Sequence, residues 1–271
     1  MAAASVREAL GAATDALTAV GVEAPRLDAE LLLGEATGRD RAALIAAPEG
    51  EVPAAAARLF GEMVRRRLRR EPVAYIVGRR GFRRLELAVD RRVLVPRPET
   101  ELLVEVALER EPRTLLDVGT GSGAIALAVA DELPDCEVMA TDTSAAALEV
   151  ARANAERLGL AGRVRFLEGT VPDGAFDLVL ANLPYVAEPD WPTLQPEVTQ
   201  WEPREALLAG PDGLDAIRAF LSAPRSAGCV ALEVGEGQAA AVAGLLREAG
   251  FWRTEARRDL AGIERVVVGE R

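Results

Sequence analysis

Leu115-Leu-Asp-Val-Gly-Thr-Gly-Ser-Gly-Ala-Ile-Ala-Leu-Ala-Val-Ala-Asp-Glu-Leu133 decides the fold. Leu115 to Val118 reads as a buried strand and Ala124 to Leu133 as a helix, with glycines 119, 121 and 123 in the turn between them. Glycine supplies positive φ and removes the Cβ atoms that keep a ligand away from backbone. A strand-to-helix turn of this kind is where open α/β sheets hold nucleoside-containing ligands.

Working outward, the same alternation recurs. Strands are expected at Glu137–Thr141, Val164–Leu167, Phe176–Ala181, Cys229–Val234 and Ile263–Val268, and helices at Ala145–Leu158, Leu214–Leu221 and Gln238–Ala249. Strands separated by helices imply a mostly parallel, doubly wound sheet. Upstream the pattern differs. Val6–Val20, a segment from Pro25 to Gly38, and one from Pro53 through Val64 carry apolar residues at helical spacing, consistent with a small helical bundle. Gly78 to Val95 alternates with β-favouring residues and predicts a hairpin or linker strands, closed by Pro96 and Pro98.

The absences narrow the chemistry. The chain of 271 residues has no histidine, which excludes Ser-His-Asp and Cys-His nucleophiles and His-ligated metal. All 32 basic residues are arginine, so neither a Schiff-base lysine nor a P-loop lysine exists. No metal site is expected. The two cysteines, Cys136 and Cys229, are expected to be reduced core thiols. The N-terminus is interrupted by Arg7, Glu8 and Asp15 and reads as an amphipathic helix rather than a signal peptide, and no apolar run is long enough for a membrane helix. A cytoplasmic protein is the expectation. Net charge is −11, yet twelve arginines between Arg65 and Arg97 face three acids, Glu71, Glu86 and Asp90. That block is a solvated helix face or a patch for an acidic partner or RNA.

The glycine loop is open to two readings on spacing alone, since Gly119-x-Gly121-x-x-Ala124 also satisfies the dinucleotide fingerprint. Asp142 closes the next strand, where an acid can bind both ribose hydroxyls. Asp117, just before the loop, would attract a cationic amino-acid moiety and repel a pyrophosphate. Gly119, Thr120, Gly121, Ser122 and Gly123 with these two acids therefore favour S-adenosyl-L-methionine. Methyl transfer from a sulfonium needs no neutral-pH base, because the leaving group is already activated.

The second constellation is Asn182-Leu-Pro-Tyr185, directly after the strand ending at Ala181. A carboxamide nitrogen is a poor nucleophile, because its lone pair is delocalised into the carbonyl. Its two N–H donors can be held by two acceptors, leaving the lone pair to the incoming methyl. The Asn182 side-chain oxygen and the Leu183 carbonyl supply such a pair. Pro184 biases Leu183 toward an extended conformation, and Tyr185 offers a flat face to a planar substrate. Alone, the tetrad is also a plausible turn after a buried strand.

With Glu71-Pro-Val-Ala-Tyr-Ile-Val-Gly78, Val95-Pro-Arg-Pro-Glu-Thr-Glu101, Leu194-Gln-Pro-Glu-Val198, Glu202-Pro-Arg204, Gly210-Pro-Asp-Gly-Leu-Asp215 and Asp259-Leu-Ala-Gly262 in the same chain, the sequence resembles the protein-(glutamine-N5) methyltransferases that modify peptide-chain release factors. The resemblance spans nearly the whole length, and Pro-Arg-Pro-Glu-Thr is its most specific segment. It implies a helical recognition domain at 1–73, a β-hairpin linker at 74–96, and a seven-stranded, Rossmann-like S-adenosyl-L-methionine-dependent domain at 97–271. The implied target is the glutamine of the Gly-Gly-Gln loop of class I release factors. By carry-over Asp142 binds the cofactor ribose, Asn182 borders cofactor and substrate, and Leu183, Pro184 and Tyr185 complete the amide site, with Arg97 and Glu99 on the substrate side. The chain departs from the family at Leu183, where a second proline is usual, and at Thr170, where an acid often meets the adenine. Asn-Leu-Pro-Tyr also occurs in adenine dimethyltransferases of rRNA. An adenine-N6 methyltransferase, a glutamine methyltransferase of a ribosomal protein, a dehydrogenase and a non-catalytic cofactor module are the alternatives. A pI near 4.8 and 4% aromatics argue against stable nucleic-acid binding, and a monomer is expected.

Overall fold

The computed structural model describes residues 4–223 and 226–271, and the chain divides into two compact units. The first comprises residues 1–78 together with 195–201, and the second residues 79–194 and 202–271.

The first unit is helical, with helices at Val6–Ala19, Pro25–Thr37, Arg41–Ala46, Ala54–Leu68 and Val73–Val77. Ser5 caps the first helix in a reciprocal box, accepting from Glu8 N while Glu8 Oε2 accepts from Ser5 N at 2.9 Å. Val6, Leu10, Ala13 and Leu17 fall on one face of that helix and are buried. They pack with Leu32, Leu33, Leu44, Phe60, Met63 and Ile76 in one core. Residues 195–201 are joined to this unit by charge. Arg67 donates to Asp28 Oδ2 at 2.7 Å and to Glu197 Oε1 at 2.5 Å, and Arg70 donates to Glu197 Oε2 at 2.6 Å. Part of the arginine block is thus buried structure and not a solvated face. Residues 73–77 are helical, so the hairpin itself starts at Arg79.

The second unit begins with the antiparallel hairpin of β1 (Arg79–Phe82) and β2 (Leu85–Ala88). The main sheet contains β3 (Thr114–Val118), β4 (Glu137–Asp142), β5 (Val164–Glu168), β6 (Ala175–Ala181), β7 (Ser226–Glu233), β8 (Arg253–Arg258) and β9 (Glu264–Glu270). Its order is β5-β4-β3-β6-β7-β9-β8, parallel except where β9 meets β7 and β8. The expected doubly wound, mostly parallel, seven-stranded sheet is present. Side chains alternate between its two faces. Leu115, Leu178, Leu180 and Ala231 face one core with the helices Glu101–Arg110 and Ala124–Glu132, and Leu116, Val179, Val230 and Val267 face another with Asp215–Ser222 and Ala239–Glu248. Cys136 and Cys229 are both free thiols in this interior, as expected, and burial pushes each up to about 11.

Strand β8 was not expected from the sequence. Arg-Thr-Glu-Ala-Arg-Arg lies at the sheet edge with mostly exposed side chains, so pairing with β9 and not hydrophobic patterning makes it a strand. Among the described residues no helix is long and apolar enough to cross a membrane.

Candidate active site

The site follows from strand order. The chain runs outward through β3, β4 and β5 and then returns to place β6 on the other side of β3, which opens a crevice at the carboxyl ends of β3 and β6. Register pairs Val118 with Ala181, so Gly119 and Asn182 leave neighbouring strands at the same level. A Cβ on Gly119 would lie 3.6 Å from Leu183 Cδ2 and 3.7 Å from the Asn182 carbonyl oxygen. The two constellations separated in sequence therefore touch.

A cavity of about 210 Å³ lies at this crevice. Gly119, Thr120, Gly121, Ser122, Asp142, Thr170, Asn182, Leu183, Pro184 and Arg97 all line it. Asp117, Gly123, Tyr185 and Glu99 do not reach its wall, and neither does Asp173, the acid nearest Thr170. Thr100 and Leu94, Pro96, Val118 and Ile125 complete much of the remainder.

The loop is held by its own backbone. Gly119 N and Thr120 N both donate to the Thr141 carbonyl at 2.9 Å, and Gly121 N donates to Asp142 Oδ2 at 2.9 Å. Glycines 119, 121 and 123 all have positive φ, of 77°, 56° and 85°. The other Asp142 oxygen accepts from Ser144 N at 2.9 Å, which fixes the carboxylate on the cavity rim. Asp117 lies beneath the loop, fully buried. Its Oδ2 accepts from Thr120 Oγ1 at 2.6 Å and from Ala126 N at 3.2 Å. Burial pushes its carboxyl up to about 7 against the pull of those two donors. Buried Asn154 ties the loop to the hairpin, donating to the Ser122 carbonyl at 2.9 Å and exchanging bonds with Ala88.

In the tetrad, Asn182 Nδ2 donates to Thr100 Oγ1 at 3.1 Å, leaving Oδ1 as the acceptor side of the amide. The Tyr185 hydroxyl donates to Glu233 Oε1 at 3.5 Å, and Gln238 Nε2 donates to the Tyr185 carbonyl at 2.9 Å. Gln238 is itself fixed, since its Oε1 accepts from Gly235 N at 2.8 Å. Burial raises the Tyr185 phenol well above its usual range, so the hydroxyl stays protonated. Arg97 donates to Glu202 Oε1 at 2.6 Å. Burial raises the Glu202 carboxyl, with Arg97 opposing.

Sequence reasoning missed Thr100, Asn154, Glu202, Glu233 and Gln238. Thr100 and Glu202 lie inside segments that carry the family resemblance, and Glu233 ends a strand as Asp142 does. Asn154 and Gln238 sit in helical patterns and gave no signal.

Residues 8–78 match the PrmC N-terminal domain family, and residues 98–195 match the methyltransferase small domain family. The release factor glutamine methyltransferase of Moorella thermoacetica is 44% identical over 280 residues, covering 98% of this chain and 99% of its own length. The chain belongs to the release factor glutamine methyltransferase family. It is an enzyme of the protein-glutamine methyltransferase class. The release factor glutamine methyltransferase of Xylella fastidiosa strain Temecula1 is 46% identical over 258 residues, covering 90% of this chain and 92% of its own, and that of Caulobacter vibrioides 41% over 270 residues, covering 95% and 93%. Among solved structures, the hMettl16 catalytic domain in complex with MAT2A 3′UTR hairpin 6 aligns with 68% of the enzyme and 74% of its own chain, at TM-score 0.54 and 16% identity, a likeness of fold.

Proposed function

We propose that the enzyme transfers a methyl group from S-adenosyl-L-methionine to the side-chain amide nitrogen, N5, of the glutamine in the Gly-Gly-Gln motif of class I peptide-chain release factors. The observation that carries the reading is the juxtaposition of the glycine loop with Asn182, whose amide is held with Oδ1 as acceptor.

The residues present fit the cofactor. Positive-φ glycines expose loop backbone to the cavity, and the Asp142 carboxylate, held by two backbone N–H groups, stands where ribose hydroxyls would be bound. Gly119, Thr120, Gly121, Ser122 and Asn182 would contact the remainder, and Thr170 borders the adenine side. Asp117 and Gly123 act from beneath by shaping the loop. When bound, the cofactor would supply an electrophilic methyl on a sulfonium, whose carbon–sulfur bond breaks as the methyl is transferred, leaving a neutral thioether.

The chain's own part is positioning and electrostatics. Asn182 Oδ1 and the Leu183 carbonyl accept the two N–H groups of the target amide, turning its lone pair toward the methyl. Pro184 restrains the Leu183 carbonyl, and Tyr185 packs on the amide plane. As the N–C bond forms, positive charge grows on nitrogen and both acceptors strengthen their hold. The proton then leaves to solvent. Arg97, tied to Glu202, and Glu99 serve the substrate side. The helical residues 1–73 recognise the release factor, residues 74–96 link, and residues 97–271 catalyse, in a cytoplasmic monomer without stable nucleic-acid binding.

Intact-mass and peptide-mapping assays with S-adenosyl-L-methionine and a purified release factor test this. One methyl mapped to the Gly-Gly-Gln glutamine is expected. Confirmed cofactor binding without methylation of the factor, but with methylation of a ribosomal protein or RNA, would overturn it.

A further inference from the structure

The segment from Glu233, the last residue of β7, to Gln238 has no part in the reaction described above, yet it meets Tyr185 at three points. The Tyr185 hydroxyl reaches Glu233 Oε1 at 3.5 Å, and a Cβ on Gly235 would lie 3.3 Å from Tyr185 Cδ2. The third contact is the short one: Gln238 Nε2 donates to the Tyr185 carbonyl at 2.9 Å. Its donor is held in turn, because Gln238 Oε1 accepts from Gly235 N at 2.8 Å. Both ends of the carboxamide are used, the acceptor on its own turn and the donor on the tetrad. Gln238 is also the N-cap of the helix Ala239–Glu248, so a regular element sets its backbone.

The carbonyl that Gln238 holds belongs to the Tyr185–Val186 peptide, which is planar. The other polar group of that peptide is taken as well, since Val186 N donates to the Leu207 carbonyl at 2.8 Å. A peptide plane pinned at both edges fixes how the chain leaves Tyr185. Pro184, with φ locked by its ring, fixes how it enters. The tetrad is thus spanned between the end of β6 and this one peptide. Gly213 closes the space around the pin, as a Cβ there would lie 2.3 Å from the Tyr185 carbonyl oxygen and 2.7 Å from Gln238 Nε2. We infer that Gln238 is a positioning residue for methyl transfer, whose carboxamide, anchored on Gly235, pins the Tyr185–Val186 peptide and so aims the Tyr185 ring and the Leu183 carbonyl at the target amide.

The inference rests on the proposed glutamine reaction. The role needs a neutral group that offers a donor and an acceptor at once. A carboxylate at 238 still accepts from Gly235 N, but it sets its second oxygen against the Tyr185 carbonyl and against the Asp212 carbonyl, 3.4 Å from Nε2. A protonated carboxyl restores the donor. A thioether of similar length offers neither function. Of the ionisable groups around this turn, Asp212 is pulled down to about 2 by its hydrogen bonds from Arg218, and Glu236 is exposed. Burial pushes Glu233, and Asp117 beneath the glycine loop, up to about 7. Both titrate in wild type and variants alike, so the ratio to wild type at each pH isolates residue 238.

The experiment measures kcat, KM for a release factor and calorimetric Kd for S-adenosyl-L-methionine between pH 5.5 and 9, on full-length wild type, Gln238→Glu and Gln238→Met. At pH 9 both variants should lose kcat by about 10- to 100-fold, the scale of a 1 Å misplacement, with KM and cofactor Kd within about threefold of wild type. On lowering the pH to 5.5, the kcat of Gln238→Glu relative to wild type should recover by about tenfold, while that of Gln238→Met stays flat. If Gln238→Glu is unfolded at high pH, Gln238→Met decides on kcat against Kd alone. A kcat within threefold of wild type in either variant overturns the inference and leaves the glutamine reaction standing. So does a cofactor Kd that rises in step with the loss of kcat, which would make the role one of general folding, or a Gln238→Glu ratio that does not change with pH. A wild-type enzyme that methylates no release factor overturns the glutamine reading and this inference with it.

Discussion

Gly213→Ala is the sharpest test of how the tetrad is held. Gly213 has φ of +74°, and a Cβ there would lie 2.3 Å from the Tyr185 carbonyl oxygen, 2.7 Å from Gln238 Nε2 and 3.0 Å from Ala187 N. Two of these neighbours are backbone and cannot rotate away. The left-handed conformation costs a residue with Cβ about 1–2 kcal/mol. Pushing Gln238 off the Tyr185 carbonyl loses a hydrogen bond, about 0.5–1.5 kcal/mol more. A total of roughly 1.5–3.5 kcal/mol lowers Tm by about 3–14 °C. The Tyr185–Ala187 backbone must shift by about 1 Å to relieve the closest contact, and a displacement of that size can cost about 10²-fold in rate. Gly237→Ala is the control, since Gly237 also has positive φ (+82°) but no atom within 4 Å of its Cβ position. It should show the conformational penalty with unchanged kcat. Calorimetric Tm and kcat at 25 °C on a release factor read both. If Gly213→Ala matched Gly237→Ala in Tm and stayed within threefold of wild type in kcat, the clamp on Tyr185 would be refuted.

Asn182→Ala removes one of the two proposed acceptors and should lower kcat by about 10²–10³-fold, with cofactor Kd nearly intact by calorimetry; a change of only a few-fold would sink the acceptor pair. Asp142→Ala should weaken cofactor binding by at least about tenfold, since a charged hydrogen-bond acceptor contributes about 1.5–3 kcal/mol; unchanged affinity in the same titration removes its ribose role. Arg67→Ala leaves Asp28 buried without its partner and should destabilise the helical unit by about 3–5 kcal/mol. Glu197 keeps Arg70, so the loss should fall mainly on Asp28; a shift in melting temperature under about 2 °C would contradict this.

How much of this was legible in the sequence depends on range. Local patterns were enough for the helix that Ser5 caps, for the strand running into Gly119, and for Asp142 at the end of its strand. In each case the cause lies within a few residues: a side chain reaching a nearby N–H, a run of apolar residues, a glycine at positive φ. Strand β8 was illegible because its sequence is polar and only an antiparallel neighbour makes it a strand. The burial of Asp117 beneath the loop, with Thr120 donating to it, was equally illegible. An acid before a glycine turn looks the same in sequence whether it points out or in.

The sequence by itself determined the alternating α/β order, the glycine loop and the Asn-Leu-Pro-Tyr tetrad, because periodicity and glycine chemistry are properties of short segments. The tertiary structure decided which distant side chains stand behind them. Strand order set β6 against β3 and brought Asn182 to Gly119, and it placed Thr100 and Glu233 behind the tetrad. The two hydrogen bonds behind the tetrad join residues 82 and 48 positions apart, and only assembly of the sheet brings those residues together.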